Sequence, residues 1–163
     1  MLDAAHDRAQ PRMSLPLRLA DTSRLTKVIL VIALIGVCEA AYLTYAHYNL
    51  GALACIGGHH GVSTCEQVQS SVYSRLAGIP VAILGLIGYV SIVSALFIRG
   101  ELGRASAFCI ALIGCGFSLY LTYRELFTLK EICEWCVGSA CLMTILMVLT
   151  AIRFLRGAEL TAT

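Results

Sequence analysis

Apolar residues form four long runs along the chain, and polar residues are confined to the two ends and one internal segment. The runs cover residues 28–48, 79–98, 105–127 and 133–155. A helix needs about 20 apolar residues to cross a bilayer, so each run is long enough for one span. The links after the second and third runs are short, which makes those neighbours antiparallel. The pattern predicts an all-α integral membrane protein built as a bundle of four transmembrane helices.

The segments outside the runs are read as tails and one loop. Residues 1–27 are polar and basic, and Pro11 and Pro16 disfavour a long helix there. The first run exceeds the length of a signal-peptide core, so we expect an uncleaved span. The chain is 58% hydrophobic and 13% charged, whereas a soluble domain has about 25% charged residues. A net charge of +2 gives no reason to expect nucleic-acid binding.

The Lys and Arg residues are distributed unequally between the two ends of the predicted bundle. With a cytoplasmic N-terminus, the outer side carries only Arg75, Arg124 and Lys130. The inner side carries Arg8, Arg12, Arg18, Arg24, Lys27, Arg99, Arg104, Arg153 and Arg156. Positive residues accumulate on the cytoplasmic side. We therefore expect both tails, 1–27 and 156–163, in the cytoplasm, and the loop 49–78 in an oxidising compartment outside it.

The fourth run begins with a Cys-x-x-Cys motif, formed by Cys133 and Cys136. A helix N-terminus carries about half a positive charge, which stabilises a thiolate. In such motifs the thiol pKa falls to about 3.5–7.5. The motif therefore indicates a redox-active pair, although the acidic neighbours Glu131 and Glu134 oppose the helix and leave the sign of the net shift open. The alternative, half of a zinc site, lacks the second Cys-x-x-Cys that usually completes four ligands.

The loop 49–78 carries a second pair, Cys55 and Cys65, with three glycines between them. Glycine makes the segment pliable enough for the thiols to meet. The pair is interpreted either as a structural disulfide or as a mobile shuttle that reaches both a soluble partner and Cys133. His59 and His60 lie between these cysteines. A zinc site is a further alternative, but a solvated histidine pair is preferred and no metal is expected.

The residues after Cys65 change to a helical pattern. Possible capping pairs precede apolar positions that recur every four residues, which predicts a short amphipathic helix over residues 66–77 on the membrane surface. Gly78 and Pro80 then begin the second span, with Pro80 near the first helical position. This surface helix is expected to cover the outer mouth of the bundle, where Cys133 and Cys136 lie.

Two types of residue inside the spans call for interpretation. Glu39 lies in the middle of an apolar run, where a carboxylate is a functional candidate by default. Its alternative role is to face the interior and bond a hydroxyl such as Thr122 or Ser118. The cysteines within the spans are expected to be buried and inert, and they are Cys38, Cys109, Cys115 and Cys141. The glycines expected at close helix contacts are Gly36, Gly85, Gly88, Gly114 and Gly116.

The two halves of the chain resemble each other at the ends of the first and third runs. Tyr-Leu-Thr-Tyr occurs at residues 42–45 and again at 120–123, each time 13 positions before a cysteine, Cys55 or Cys133, counting from the first tyrosine. An ancient duplication accounts for the matched spacing. A belt of interfacial aromatic residues accounts for the tyrosines alone, so both interpretations stay open.

Taken together, the motifs between residues 28 and 155 resemble the vitamin K epoxide reductase (VKOR) family. They are most similar to its bacterial branch, which oxidises periplasmic thiols in place of the DsbB system. The resemblance implies that a separate, soluble thioredoxin-fold (DsbA-like) oxidase attacks the Cys55–Cys65 disulfide. Cys65 then attacks Cys133 in the Cys133–Cys136 disulfide, and Cys136 reduces a quinone such as menaquinone, ubiquinone or vitamin K.

The resemblance also implies a quinone pocket. Ser71 matches the family's Ser or Thr beside the quinone ring, and Gly85 is assigned to the same pocket. Val81 and Ala140 stand where the animal enzymes carry Asn and Tyr. Loss of those polar groups makes epoxide reduction the alternative rather than the expected activity. A metal-binding or purely structural four-span protein is the third hypothesis.

Overall fold

Four helices account for most of the described structure. A computed structural model describes residues 15–49, 75–76, 78–129 and 133–161. The helices are α1 (Leu15–Tyr48), α2 (Val81–Phe97), α3 (Glu101–Arg124) and α4 (Glu134–Thr161). A π-helical turn, Glu125–Leu129, extends α3, and a two-stranded ribbon joins β1 (Arg75–Leu76) to β2 (Ile79–Pro80). The prediction of an all-α membrane bundle with about four helices is confirmed.

Three segments of the described chain are long and apolar enough to cross a membrane: Ser23–Tyr48, Glu101–Thr128 and Glu134–Ala158. The protein is therefore an integral membrane protein. The second predicted span, 79–98, differs from the structure, because α2 has 17 residues and lies below the length of the other three. Ile79 and Pro80 belong to β2, and Ile98 has the extended backbone that ends the helix.

Both terminal helices extend beyond the predicted spans. The expectation that proline disfavours a long helix in the N-terminal tail is wrong for residues 15–27, because α1 begins at Leu15. Pro16 lies in the first turn, where its missing N–H is not needed for an intrahelical bond. At the other end α4 continues past residue 155 to Thr161.

The β-ribbon replaces the end of the predicted surface helix over residues 66–77. Arg75 pairs with Pro80, and Leu76 pairs with Ile79. Gly78 in the connecting turn has φ = 84°, a left-handed conformation that glycine adopts without steric cost. The prediction of helix is therefore wrong at residues 75–76. The part of that predicted helix at residues 66–74 lies outside the described residues.

The helices pack in a closed ring in which α1 contacts α2 and α4, and α3 also contacts α2 and α4. The buried positions of α3 recur every fourth residue and are all small: Gly103, Ala107, Ala111 and Cys115. Small side chains allow two helix backbones to approach closely in a membrane, where dispersion replaces the hydrophobic effect as the main attraction. Large apolar side chains cover the outside of the ring, as expected for a surface in contact with lipid.

Two of the five glycines predicted at close helix contacts occupy such contacts. A Cβ at Gly36 would overlap the ring of Tyr89, and a Cβ at Gly114 would lie 2.9 Å from the sulfur of Met143. The prediction is wrong for the other three, because a Cβ there would meet no atom within 4 Å, and these are Gly85, Gly88 and Gly116.

The cysteines inside the spans also divide into two groups. Cys115 is buried, and its sulfur lies 3.6 Å from the hydroxyl of Thr144. The expected burial is wrong for Cys38, Cys109 and Cys141, which are free thiols exposed on the outer surface of the bundle. A thiol on the outside of a membrane span contacts lipid. It therefore lies in an apolar environment without being buried by the protein.

Candidate active site

Cys133 occupies the N-cap of α4. Its carbonyl accepts the first hydrogen bond of the helix from the Val137 N–H, at 3.0 Å. The side chain is fully buried within the protein. An N-cap side chain lies where it accepts hydrogen bonds from the backbone N–H groups of the second and third helical residues. Here those residues are Trp135 and Cys136, so the cap position places the sulfur against two backbone donors.

The surroundings of the Cys133 sulfur favour a thiolate. The pKa of Cys133 is lowered from its ordinary value, chiefly because the Cys136 thiol donates a hydrogen bond to it. The backbone N–H groups of Cys136 and Trp135 lower this pKa further, whereas burial and the carboxylate of Glu125 raise it. The sign that the sequence left open is therefore settled toward the thiolate. The two thiols form one hydrogen-bonded unit at the start of α4.

Glu125 is the functional residue that the sequence analysis missed. It is 5% exposed, and its carboxyl accepts a hydrogen bond from the Cys133 backbone N–H. The same carboxyl competes with the Cys133 sulfur for the single proton of the Cys136 thiol. One carboxyl oxygen, Oε2, is buried without a hydrogen-bond partner within the described structure. The sequence signal was a carboxylate eight positions before Cys133, whereas the acids expected to act on Cys133 were the nearer Glu131 and Glu134. Of those, Glu134 is exposed and Glu131 lies outside the described residues.

Glu125 lies at the junction between α3 and a π-helical turn. It is the first residue of the segment Glu125–Leu129, which follows α3 directly. Its backbone N–H donates to the carbonyls of Leu121 and Thr122, so it keeps the register of α3. The end of α3 therefore places the carboxyl at the same end of the bundle as the first turn of α4. π-Turns concentrate at functional sites.

Further polar groups lie just inside the bundle from the cysteine pair. The Tyr89 hydroxyl donates to the Ser139 carbonyl at 3.1 Å and lies 3.0 Å from the Ser139 hydroxyl. A Cβ at Gly138 would lie 3.1 Å from Oε1 of Glu39. The Glu39 side chain therefore faces α4, which it can approach because Gly138 has no side chain. Glu39 is half-buried.

The predicted hydroxyl partners of Glu39 are not supported. The Thr122 hydroxyl donates to the Ser118 carbonyl of its own helix, at 3.0 Å. Thr44, in the matching Tyr-Leu-Thr-Tyr motif of α1, makes the same bond to the Ala40 carbonyl, at 2.7 Å. The two motifs thus share a local conformation, which both duplication and an aromatic belt accommodate.

Aromatic residues surround this end of the bundle. The centres of the Tyr42 and Trp135 rings are 5.1 Å apart. This contact fixes Trp135, one of the two residues between the cysteines, against α1. Other tyrosines near the ends of α1 and α3 are exposed, and they are Tyr45, Tyr48, Tyr120 and Tyr123. Exposed tyrosines at one end of a membrane bundle are typical of the membrane–water interface.

The structure describes part of the remaining predicted site. Val81 begins α2, Gly85 lies one turn further on, and Ala140 lies one turn beyond Cys136; all three are half-buried. Their assignment to a quinone pocket stays a prediction. The predicted site residues that lie outside the described structure are Cys55, Cys65, Ser71, His59 and His60. Within the described ranges, no three His, Cys, Asp or Glu side chains are grouped to bind a metal.

A helical membrane bundle with a capped Cys-x-x-Cys pair at one end defines a membrane-embedded oxidoreductase. Comparison with protein families specifies it further. The model of the vitamin K epoxide reductase family matches residues 27–151, which is more than half of the chain. The chain therefore belongs to the VKOR family, whose members carry out membrane disulfide and quinone redox reactions.

Proposed function

We propose that this protein is a quinone-linked thiol oxidase that supports disulfide bond formation outside the cytoplasm. A soluble thioredoxin-fold oxidase delivers two electrons to the Cys55–Cys65 pair. Cys65 passes them to Cys133 and Cys136, and this second pair passes them to a quinone in the membrane. The N- and C-termini lie in the cytoplasm, and the four cysteines lie on the opposite side.

The hydrogen-bonded state of Cys133 and Cys136 is the observation that carries this proposal. Closing a disulfide requires a thiolate that attacks a neighbouring sulfur. Cys133 is held as that nucleophile by the Cys136 thiol and two backbone N–H groups.

The residues around the pair fit a quinone as acceptor. A bound quinone supplies an acceptor for two electrons and two protons. Glu125 presents an unpartnered, buried carboxyl oxygen beside Cys136, which suits a ligand that exchanges protons. Val81, Gly85 and Ala140, with Ser71 of the loop, would hold the ring. Val81 and Ala140 are apolar, which supports a simple quinone over an epoxide as substrate.

The distribution of charge supports the proposed orientation. Arg104 at the start of α3 packs against Gly157 near the end of α4, and Arg153 lies within electrostatic range of Arg104. These residues cluster at the end of the bundle opposite Cys133. A basic end is the cytoplasmic end in most membrane proteins, which leaves the thiol pair on the outer side.

The test is turnover of purified protein in detergent, with a reduced thioredoxin-fold dithiol protein as donor and ubiquinone-1 as acceptor. Cys136→Ala is expected to abolish quinol formation, because the second sulfur of the disulfide is missing. Cys141→Ala is the matched control on the same helix and should keep the wild-type rate, since its thiol is exposed on the outside of the bundle. Undiminished turnover by Cys136→Ala would contradict the proposal.

A parallel assay with vitamin K epoxide distinguishes the second candidate activity. The proposal predicts that quinone is reduced faster than epoxide by the wild-type protein. Faster epoxide reduction would instead favour the epoxide reductase assignment. Bound zinc in the purified protein, together with no turnover of either substrate, would favour a metal-binding role.

A further inference from the structure

Among the described residues, a buried carboxyl lies against the sulfur of Cys136. This is the sulfur from which electrons are proposed to pass to quinone. Glu125 is 5% exposed, and its carboxyl lies within hydrogen-bonding reach of the Cys136 thiol, whose single proton can be donated to this carboxyl or to the Cys133 sulfur. The Cys133 backbone N–H donates a hydrogen bond to the same group. These contacts join Glu125 to both members of the pair at once, and no intervening residue is needed for a proton to pass from Cys136 to the carboxyl.

We propose that Glu125 is the proton acceptor of Cys136, taking the thiol proton when the disulfide closes and returning it when the disulfide opens. This inference rests on the proposed function, because it assigns the base of the same site. Glu125 contacts a reacting atom, so it is placed as a catalytic residue. The end of α3, where the Leu121 and Thr122 carbonyls accept the Glu125 backbone N–H, is the element that holds it there.

The step balances in atoms and electrons. Before oxidation, Cys133 is a thiolate, Cys136 is a thiol and Glu125 is a carboxylate. The Cys136 S–H bond breaks, its proton moves to Glu125, and a bond forms between the two sulfurs. Two electrons leave for the quinone acceptor of the proposed function, which takes the two protons of the quinol from water. The products are the disulfide and a neutral Glu125, so no net proton is released to water from these three groups.

The unpartnered oxygen of Glu125 agrees with this cycle. Oε2 is buried and has no hydrogen-bond partner within the described residues. A buried, ionised carboxylate with an unsatisfied oxygen is costly. Protonation removes the charge during the oxidised phase, when Cys136 no longer donates its hydrogen bond. The carboxyl is thus ionised only while the Cys136 thiol is present to bond it.

Other titratable groups lie near the first turns of α4, and their positions differ from that of Glu125. From α1, Glu39 faces Gly138 and Tyr42 contacts Trp135. From α2, Tyr89 bonds Ser139. On α4 itself Glu134 is exposed, and on α3 Arg124 precedes Glu125 in the chain. Apart from buried Glu125, Glu39 is the one carboxyl among these groups that the protein partly shields from solvent, so the experiment includes it.

The test counts the protons taken up when the disulfide is reduced. Purified, quinone-free protein in detergent is equilibrated with dithiothreitol buffers, and the redox midpoint of Cys133–Cys136 is followed with pH by mass spectrometry of alkylated peptides. Each proton taken up per two electrons changes the equilibrium about tenfold per pH unit, which corresponds to about 30 mV. Glu125→Gln should take up about one proton more than the wild-type protein near neutral pH, because Gln cannot supply the proton internally.

Two further variants make the result specific. Glu134→Gln removes an exposed carboxylate next to Cys133 and should match the wild-type proton count. Glu39→Gln should also match it. An unchanged count in Glu125→Gln would overturn the proposal, and so would an extra proton in Glu39→Gln instead. A correctly folded Glu125→Gln protein is confirmed by its unchanged helical circular dichroism.

Turnover gives a second readout. Glu125→Gln should reduce quinone about a hundredfold more slowly, which is the lower end of the usual contribution of a general base. Glu125→Asp keeps the proton acceptor at a greater distance and should recover part of the rate. Equal rates for Glu125→Gln and wild type would overturn the proposal. If the wild-type protein reduces no quinone, the proposed function fails, while the proton count still decides the role of Glu125.

Discussion

At the scale of single residues, the chemistry of the site follows from the place of Cys133 at a helix cap. The sulfur occupies the position in which a Ser or Asp side chain usually accepts the free N–H groups of a first turn. A thiolate accepts those bonds better than a neutral thiol, so the fold and the reactivity of Cys133 are coupled. Cys136 adds a third donor because it lies in the same turn.

This coupling predicts how the reactivity of Cys133 depends on pH. Its lowered pKa keeps the thiolate present below the pH at which an ordinary thiol protonates, about 8.5, and reactivity is lost as pH falls through the lowered value. Cys136→Ala removes the main donor and should shift the alkylation profile of Cys133 toward higher pH. Cys136→Ser keeps a hydroxyl donor and should shift it less.

The measurement is the rate of iodoacetamide alkylation of Cys133 between pH 5 and 9, read by mass spectrometry. This pH range includes the ordinary thiol pKa of about 8.5 and most of the range of lowered thiol pKa values, about 3.5–7.5. Identical profiles for wild type and Cys136→Ala would show that the hydrogen bond between the two thiols does not set the thiolate population.

At the scale of helices, close approach at small residues holds the site elements together. Tyr89 of α2 lies against Gly36 of α1, and its hydroxyl bonds Ser139 of α4. One side chain therefore ties three helices together next to the cysteine pair. The Tyr89 ring is fully buried, so it has little freedom to move away from an added atom.

Two glycine-to-alanine substitutions in the helices should change the stability of the bundle in opposite directions. Gly36→Ala places a methyl group into the ring of Tyr89 and should destabilise the bundle by about 1–3 kcal/mol, the usual cost of overpacking. Gly88→Ala meets no atom within 4 Å and should stabilise α2 by up to about 1 kcal/mol through helix propensity. Unfolding in mixed detergent and sodium dodecyl sulfate measures both. Equal stabilities would contradict the tight contact at Gly36.

The helices could be predicted from sequence more completely than the site. Long apolar runs specify spans, and a Cys-x-x-Cys motif at the start of a run specifies a cap. The position of Glu125 could not be predicted, because it depends on how the end of α3 packs against the first turn of α4, which residue spacing does not reveal. The direction in which the Glu39 side chain points depends on how α1 is rotated against α4. That rotation is set by helix packing and cannot be read from the apolar run in the sequence.

At the scale of the whole molecule, the two ends of the bundle differ in chemistry. One end carries the capped thiols, Glu125 and exposed tyrosines, and the other carries Arg104 and Arg153. In the proposed orientation the thiol end faces an oxidising compartment, where disulfides persist. Electrons then enter from water at that end and leave into the membrane.

The orientation predicts the labelling of two engineered thiols in intact cells. Thr128→Cys lies at the thiol end and Glu101→Cys at the basic end, and both native residues are exposed. A membrane-impermeant maleimide should label Thr128→Cys in intact cells and Glu101→Cys only after permeabilisation. The reverse pattern would place the termini outside and the thiol pair in the cytoplasm.

The proposed function depends on direct transfer of electrons from Cys133 and Cys136 to quinone. A single turnover tests this step: reduced Cys55→Ala/Cys65→Ala protein, which lacks the donor pair of the loop, is mixed with excess ubiquinone-1 and quenched. The yield of quinol should equal the yield of Cys133–Cys136 disulfide, and adding Cys136→Ala to this background should give neither. Quinol formed while both thiols stay reduced, or a disulfide formed without quinol, would show that the pair is not the donor.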